Sequence, residues 1–214
     1  MKIALIDYRA GNLTSVKKAF AALEADLFVP TAPDELREAS AVVVPGVGHF
    51  GATQALTDEW TGTIRDGITA GRPLLGICLG MQWLFEGSDE SPEAAGLGLF
   101  AGRCYRLTGE SNGTSVKIPH VGWNALDVRR EDSIVDSVTS GSQVYFTHSF
   151  VAPITADTVA VTEHGQQFAA VVQRGHVAGV QFHPEKSGDV GLRILKNFLT
   201  LVTHGTKVKG RRQK

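Results

Sequence analysis

The sequence offers little from which a disulfide scaffold, a membrane span or a nucleic-acid-binding surface could be built. Only two of its 214 residues are cysteines, Cys78 and Cys104, which is too few for a disulfide framework. The formal net charge is −1, so no excess of positive charge points to nucleic acid or to an acidic membrane surface. No apolar run approaches the ~20 residues that a membrane-spanning helix needs. We therefore expect a cytoplasmic protein with free thiols that binds neither nucleic acid nor membranes.

The length and the composition fit one globular domain. Hydrophobic residues make up 43% and charged residues 20% of the chain, which is enough apolar surface for a core and argues against disorder. Met1 and Lys2 lead directly into an apolar stretch, so no signal peptide is expected. We predict a single domain over residues 1–204 and a short, solvated basic tail over residues 205–214. No internal repeat or metal-ligand cluster is recognisable.

Strand and helix patterns alternate through the first part of the chain. Such alternation predicts a mostly parallel sheet that is covered by helices on both faces. Strands are predicted at 2–6, 26–29, 41–44 and 73–77, with helical patterns at 14–23, 33–38 and 51–70.

Beyond residue 100 the pattern changes to strands that are joined by short turns, and those near the end of the chain are expected to be antiparallel. A closing helix is predicted over 187–202, and the polar stretches 86–95 and 109–115 are predicted to be surface loops. The predicted fold class is therefore α/β: a mostly parallel open sheet flanked by helices, with antiparallel strands in the C-terminal half.

One pentapeptide, Gly76-Ile77-Cys78-Leu79-Gly80, combines a strand end, a cysteine and a helix start. The two glycines allow unusual backbone dihedrals and a close approach of helix and strand. The Cys78 side chain would then stand at the carboxyl end of a sheet. It would lie beside a helix N-terminus, whose backbone N–H groups stabilise anions. The pattern suits a nucleophile, although a buried structural cysteine in a glycine-rich turn explains it equally well.

A histidine and a carboxylate follow the last predicted strand, 177–182. Pro184 favours extended backbone at His183, and alternate residues of an extended chain point the same way. His183 and Glu185 could thus be a base and the group that orients it. Alone, the pair is better explained as a surface contact. Because Cys78 and this pair can meet at one edge of a sheet, the combination favours a cysteine nucleophile.

Four further stretches carry glycines or polar groups near predicted strand ends. Residues 45–51 either present backbone N–H groups inward or form an ordinary turn. Asn12 lies at the carboxyl edge, where open α/β sheets bind ligands, or else caps the first helix. Residues 119–124 place aromatic and amide groups on a loop, or form a hydrophobic plug. His148 lies on a predicted strand, where a histidine packs in the core more often than it acts in catalysis.

Together these motifs resemble the class I, or triad, glutamine amidotransferases. The matching segments are Gly76-Ile77-Cys78-Leu79-Gly80-Met81-Gln82 and Gln181-Phe182-His183-Pro184-Glu185. Within that family the sequence is similar to the glutaminase subunits of imidazole glycerol phosphate synthase, which serve histidine biosynthesis. The narrower resemblance covers nearly the whole chain, and it is carried by Asp7-Tyr8, Gly11-Asn12, Pro45-Gly46-Val47-Gly48, Pro119-His120-Val121-Gly122-Trp123-Asn124 and Lys186-Ser187-Gly188.

The resemblance implies a role for each site residue. Cys78 would attack the side-chain amide of glutamine, His183 would pass a proton to the leaving ammonia, and Glu185 would hold the imidazole. The backbone around Val47 and the N–H of Leu79 would stabilise the oxyanion. No metal and no cofactor are implied. The residues that would hold the substrate are Gly46, Gly48, Gln82, Thr147, His148 and Ser149.

The resemblance also implies a partner. A class I domain takes ~200 residues, the size of one domain, so we expect the ammonia to pass to a separate cyclase subunit, a (β/α)8 barrel, in a heterodimer. The complex would turn an aminoimidazole ribonucleotide into imidazole glycerol phosphate and release a carboxamide ribotide. The residues expected to face that partner are Asn12, Trp123, Tyr145 and Lys186.

Other functions fit parts of the pattern. A glutaminase subunit for anthranilate, aminodeoxychorismate or pyridoxal phosphate synthesis would use the same triad, but residues 45–48 and 119–124 favour the histidine branch. A stand-alone cysteine hydrolase or peptidase would carry a similar elbow cysteine, and would act without a partner. A non-catalytic binding module is disfavoured because Cys78, His183 and Glu185 are all present.

Overall fold

The computed structural model of the chain describes residues 1–11, 13–111 and 114–210. These ranges contain four α-helices, α1 to α4 in chain order: Leu13–Ala21, Asp58–Thr69, Leu79–Trp83 and Gly188–Gly210. Short 3₁₀-helices lie at Pro33–Glu38, Phe50–Ala55, Ser133–Val135 and Pro184–Lys186. The strands of the described residues, β1 to β16 in chain order, are Lys2–Leu5, Asp26–Phe28, Ala41–Val44, Leu74–Ile77, Gly87–Ser88, Ser91–Ala95, Arg103–Arg106, Glu110–Ser111, Thr114–Ser115, His120–Ala125, Asp127–Val128, Gln143–His148, Phe150–Val151, Thr158–His164, Gln166–Arg174 and Val177–Val180.

Eight of the described strands form the central sheet, in the order β11-β14-β15-β16-β4-β3-β1-β2. Five neighbouring strands of this sheet, β16, β4, β3, β1 and β2, run parallel to one another. The strands β15, β14 and β11 extend the sheet in antiparallel fashion. The predicted fold class is confirmed, including the antiparallel strands that come from the C-terminal half of the chain.

The central parallel strands β3, β4 and β16 are buried on both faces, which explains their continuous sequences of apolar residues and glycine. Every residue of β3 and β4 is buried. On one face of the sheet, Val43 lies in a hydrophobic cluster with Phe20 of α1 and Phe198 of α4. On the other face, Val42 belongs to a cluster with Ile64 of α2 and Trp83 of α3. The helices therefore cover both faces, and the strand ends are left as the accessible edge.

The register of the central strands brings three chain segments together. In β3, Val44 pairs with Gly76 of β4, and Gly76 pairs with Gly179 of β16. The glycine-rich segment 45–48, Cys78 and the segment 181–185 each follow one of these parallel strands directly. They therefore emerge side by side at the carboxyl edge of the sheet, as the sequence predicts.

The turn from β4 into α3 is tight because its glycines let backbone touch backbone. A Cβ atom on Gly80 would lie 1.8 Å from Val44 O, and one on Gly76 would lie 2.7 Å from Gly80 O. The unusual dihedrals belong to Cys78 itself, with φ 52° and ψ −108°. The two glycines thus serve close approach, whereas the left-handed backbone at Cys78 is what lifts the thiol to the apex.

Gly80→Ala is expected to lower the free energy of unfolding by about 3 kcal/mol, because the new methyl group collides with a backbone carbonyl that cannot move aside cheaply. Gly62→Ala is the matched control, since Gly62 lies in α2 and a Cβ there would meet no group within 4 Å beyond the backbone of its own helix. That variant is expected to gain about 1 kcal/mol from helix propensity. Urea denaturation of both variants measures the difference, and equal effects would contradict the close approach.

The structure corrects some predicted boundaries. The segment 86–95, predicted as a surface loop, contains the paired strands β5 and β6, and its Ser88 and Ser91 are buried. Part of the other predicted loop forms the pair β8 and β9. Helix α4 extends to Gly210, beyond the predicted end at residue 202. Among the described residues no helix is both long and apolar enough to cross a membrane.

Candidate active site

Cys78 lies at the start of α3, in a cleft of about 230 Å³ at the carboxyl edge of the sheet. The residue is 5% exposed, and its backbone N–H donates to Val180 O of β16 at 2.7 Å. This bond fixes the elbow to the strand that leads into His183. A larger cleft, of about 670 Å³, lies between the 3₁₀-helix Ser133–Val135 and the middle of α4, and it is not lined by Cys78, His183 or Glu185.

His183 and Glu185 form a buried pair. The Nδ1 atom of His183 lies 2.8 Å from Glu185 Oε1, and the two side chains are 2% and 3% exposed. The backbone is extended at His183, but Glu185 lies in the 3₁₀-helix Pro184–Lys186. Its side chain therefore contacts His183 from a helical turn and not from an extended strand. The carboxylate therefore fixes the tautomer with a proton on Nδ1.

The electrostatic surroundings of His183 favour the charged form of its imidazole. Burial alone lowers the pKa of His183, but the charge on Cys78 and the interactions with Cys78 and Glu185 outweigh burial and raise it to about 10. The Nε2 atom of His183 is buried without a hydrogen-bond partner among the described residues. A charged imidazole near a cysteine stabilises the thiolate form, which is the form that attacks as a nucleophile.

Both predicted oxyanion donors are already engaged. The Val47 N–H donates to Ala10 O at 3.3 Å, and the Leu79 N–H donates to Gly46 O at 3.4 Å. Gly46 O and Val47 N belong to one peptide unit, so a single rotation of that unit would release both N–H groups. The following residue, Gly48, has φ +104°, which an L side chain rarely adopts.

The Tyr8 side chain anchors the glycine-rich segment 45–48. Its hydroxyl donates to Pro45 O at 2.7 Å, and a Cβ on Gly46 would lie 2.0 Å from the same hydroxyl. Burial, together with the charge on Cys78, raises the pKa of the Tyr8 phenol well above its ordinary value, so Tyr8 stays a donor. The bond anchors Pro45, whereas the next peptide unit, Gly46–Val47, is held by its two backbone hydrogen bonds to Ala10 and Leu79.

The predicted substrate residues divide into two groups. The cleft beside Cys78 is lined by Gly48, Gln82, Thr147, His148 and Ser149. Gly46 is not among its lining residues, and its carbonyl accepts the Leu79 N–H.

Glu90 also lines this cleft, and no sequence motif selects it. It lies in the turn between β5 and β6, and its Oε2 accepts the Phe50 N–H at 2.7 Å. Glu86, Asp89 and Glu93 lie in the same polar stretch, so only the pairing of β5 with β6 distinguishes the residue that reaches the cleft. A carboxylate here can accept an ammonium group.

Three of the predicted partner-facing residues form one exposed cluster. Trp123 is 56% exposed, and its ring lies 6.1 Å from the Tyr145 ring at an angle of 75°. Lys186 Nζ lies 5.7 Å from the centre of the Tyr145 ring, and Val121 beside them is 57% exposed. Asn12 lies outside the described residues.

The exposed cluster is linked to His183 through the backbone of β12. The His183 N–H donates to Tyr145 O at 2.9 Å, and the Tyr145 N–H donates to Ser187 Oγ at 2.9 Å. A displacement of Tyr145 would therefore shift His183 through one hydrogen bond and Ser187 through the other. No group of His, Cys, Asp and Glu side chains within the described ranges has the arrangement of a metal site.

Comparison with known proteins gives consistent matches. The family model for glutamine amidotransferase class-I matches residues 4–202. The protein named imidazole glycerol phosphate synthase subunit HisH of Halalkalibacterium halodurans is 42% identical, covering 97% of this chain and all of the relative. The proteins of that name from Thermococcus kodakarensis and Methanopyrus kandleri are 42% and 45% identical, over 93% and 94% of this chain and 100% and 98% of theirs.

Solved structures share the fold. A structure described as a glutamine amidotransferase superposes with a TM-score of 0.73 at 20% identity, covering 94% of this chain and 98% of that one. The structure of PurLQS from Thermotoga maritima gives 0.72 at 18% identity, with 93% and 97% covered.

Proposed function

The chain belongs to the class I glutamine amidotransferase family, and we propose from that premise that it is the glutaminase subunit of an imidazole glycerol phosphate synthase. The observation that carries the proposal is the near full-length similarity to subunits of that name at 42–45% identity. The cleft that holds Cys78 beside a buried His183–Glu185 pair supports it. The free thiols of Cys78 and Cys104 fit the reducing cytoplasm, where we place the protein.

The triad supplies the chemistry. The Cys78 thiolate attacks the side-chain carbonyl carbon of glutamine, and the His183 imidazolium gives its Nε2 proton to the leaving nitrogen. The carbon–nitrogen bond breaks, ammonia departs, and a γ-glutamyl thioester is left on Cys78. His183, now neutral, takes a proton from water as water attacks the thioester and releases glutamate. Glu185 holds the imidazole and stabilises its positive charge throughout.

The cleft residues would recognise glutamine by charge and hydrogen bonding. The Glu90 carboxylate is suited to the α-ammonium group of the substrate. Gln82 and the backbone of Thr147, His148 and Ser149 would hold the remainder, with Gly48 leaving room beside the sulfur. These roles make Glu90 a specificity residue, because an acyl compound without the ammonium group could not form an ion pair with its carboxylate.

The oxyanion site would form by rotation of one peptide unit. Turning the Gly46–Val47 peptide withdraws Gly46 O from Leu79 N–H and swings Val47 N–H away from Ala10 O. Both donors would then face the developing oxyanion, as transition-state stabilisation requires. The rotation exchanges two backbone hydrogen bonds for two others, so a binding partner can bias it with modest differential affinity.

The ammonia would pass to a separate cyclase subunit with a (β/α)8 barrel, which forms a heterodimer with this chain. Trp123, Tyr145 and Lys186 are proposed to meet that subunit. They supply an aromatic pair and a cation on one exposed surface, as protein interfaces often do. Asn12 is proposed to belong to the same interface. The products would be imidazole glycerol phosphate and an aminoimidazole carboxamide ribotide.

The isolated chain is expected to release glutamate at least about 10²- to 10³-fold more slowly than the complex, because one missing oxyanion donor already costs a factor of that size. The measurement is glutamate release by the purified chain, alone and with the cyclase subunit and its nucleotide substrate. Addition of both should raise the rate steeply. If the lone chain hydrolyses glutamine as fast as the complex does, activation by the partner is refuted and a stand-alone hydrolase is favoured.

Two lysine variants test whether the response to the cyclase depends on the surface around Tyr145. Lys186→Ala removes the cation beside Tyr145 and should weaken the response to the cyclase. Lys2→Ala is the matched control: it also removes an exposed lysine, paired with Glu38, but Lys2 begins β1 and so lies at the opposite, amino edge of the sheet. Its response to the cyclase should equal that of the wild type.

A further inference from the structure

Strand β10 has one exposed face and one face that carries the buried His120. Val121 and Trp123 are 57% and 56% exposed, whereas His120, which precedes them in the alternation, is 3% exposed. Asn124 shares the inward face with His120, and their side chains approach to 3.3 Å. The strand proposed to meet the partner subunit therefore also carries polar groups on its inward face.

Two buried histidines continue from this face toward the cleft. His120 Nδ1 lies 3.3 Å from His148 Nε2, and His148 Nδ1 lies 3.1 Å from Phe150 O. Burial, with the neighbouring histidines, lowers the pKa of His148 to about 3 and that of His120 to about 4, so both rings are neutral at neutral pH.

The direction of each bond is then fixed. Phe150 O can only accept, so the single proton of His148 lies on Nδ1, and His148 Nε2 must accept. His120 therefore donates through Nδ1 and accepts at Nε2. Asn124 Nδ2 supplies that last hydrogen, while it also donates to Glu163 O at 2.8 Å.

The same carbonyl joins the histidines to the nucleophile. Phe150 O also accepts from Gln82 Nε2 at 2.8 Å, and the second hydrogen of that amide goes to Gln181 Oε1 at 3.1 Å. Gln181 Nε2 in turn donates to Cys78 Sγ at 3.6 Å. Gln181 is fully buried and Gln82 is 4% exposed, so solvent hardly competes for these bonds.

We propose that His120 and Gln181 are positioning residues for the reaction. Gln181 holds an N–H against the Cys78 sulfur, and the bonds through His148, Phe150 O and Gln82 link that amide to His120 on the strand that bears Val121 and Trp123. The partner-facing strand is thereby coupled to the orientation of the nucleophile. This inference rests on the proposed function for the identity of the partner-facing surface, but not for the bond to sulfur.

The bond to sulfur has a chemical consequence. An N–H donor stabilises the thiolate and directs its lone pairs, and a hydrogen bond to a charged group is stronger than one between neutral groups. Because both hydrogens of the Gln82 amide are committed, that amide cannot rotate to replace Gln181. Loss of any link upstream leaves an unpaired buried group and loosens the amides that follow.

The test is the rate at which iodoacetamide alkylates Cys78 in the full chain at neutral pH, followed by mass mapping of the Cys78 peptide. Gln181→Met keeps the volume of the side chain and removes its N–H. Its alkylation rate is expected to fall by about tenfold, the effect of one lost hydrogen bond to a charged group. In His120→Phe the new ring can still stack on Phe146, whose centre lies 4.7 Å from that of the His120 ring. The alkylation rate of this variant is expected to fall by at least about threefold.

His164→Phe is the matched control. His164 stacks on His120 with ring centres 4.1 Å apart, yet its Nε2 bonds to Lys117 O rather than to the histidines. The control is expected to alkylate at the wild-type rate, and melting temperatures show whether the two histidine variants lose similar stability. In the His120→Phe/Gln181→Met double variant the two losses should not multiply, because one chain of hydrogen bonds carries both.

Three results would overturn the proposal: a wild-type rate in Gln181→Met or His120→Phe, an equal loss in His164→Phe, or a double variant in which the two losses multiply. Alkylation needs neither glutamine nor a partner. A negative result here would therefore leave the glutaminase assignment intact, and a failure of glutamine hydrolysis would leave the alkylation result intact.

Discussion

Cys78→Ala is expected to abolish glutamine-dependent formation of imidazole glycerol phosphate by the two-subunit enzyme. Within the described residues Cys78 is the thiol that lines the cleft beside the triad histidine, and without it no thioester can form. The loss should reach the background of the assay. The measurement is product formation with glutamine as nitrogen donor, at saturating cyclase and nucleotide.

Ammonium salts provide the internal control, because added ammonia bypasses the step that we assign to Cys78. The Cys78→Ala complex should still make product from ammonium at the rate of the wild type. Cys104→Ala is the matched cysteine control, since Cys104 is fully buried in the core beneath α3 and should keep glutamine-dependent activity. Retained glutamine-dependent turnover in Cys78→Ala would remove Cys78 from its proposed role.

His183→Ala is expected to lower the glutaminase rate of the complex by at least about 10²- to 10⁴-fold, which is the usual contribution of general acid–base catalysis. The variant removes the group that protonates the leaving ammonia. Glu185→Gln keeps the shape of the partner at 2.8 Å but removes its charge, so a smaller loss is expected. Single-turnover glutamate release in the complex measures both variants.

His176→Ala serves as the histidine control. His176 precedes β16 at the amino edge and bonds to Ile68 O at 2.9 Å, so its removal should leave the rate of glutamate release unchanged. A larger loss in Glu185→Gln than in His183→Ala would contradict the division of roles between base and orienting group.

The sequence was sufficient to predict the sheet and the edge at which Cys78 and the segment 181–185 meet. Continuous apolar runs such as 41–44 identify strands that are buried on both faces, and β3 and β4 have that burial. The elbow at Cys78 and the motif at His183 each follow such a strand. Parallel pairing then brings their carboxyl ends to one edge, which needs no side-chain detail.

Features that depend on exact contacts were beyond the sequence. Nothing in the polar stretch 86–95 distinguishes Glu90 from its acidic neighbours, because its place in the cleft follows from the pairing of β5 with β6. The glycines of the segment 45–48 suggest backbone freedom, but not that Gly46 O occupies the Leu79 N–H. The sequence places Gln181 at the end of an apolar strand but does not predict its bond to Cys78, because that bond joins segments that are far apart in the chain.

Trapping the acyl enzyme is the most direct test of the proposed thioester chemistry. The complex is mixed with glutamine and the nucleotide substrate, quenched in acid within one turnover and digested, and the Cys78 peptide is then measured by mass spectrometry. We expect a γ-glutamyl group on Cys78 that is absent in Cys78→Ala and does not form on Cys104. Glutamine turnover without that adduct, or with the glutamyl group on another residue, would contradict the proposed role of Cys78.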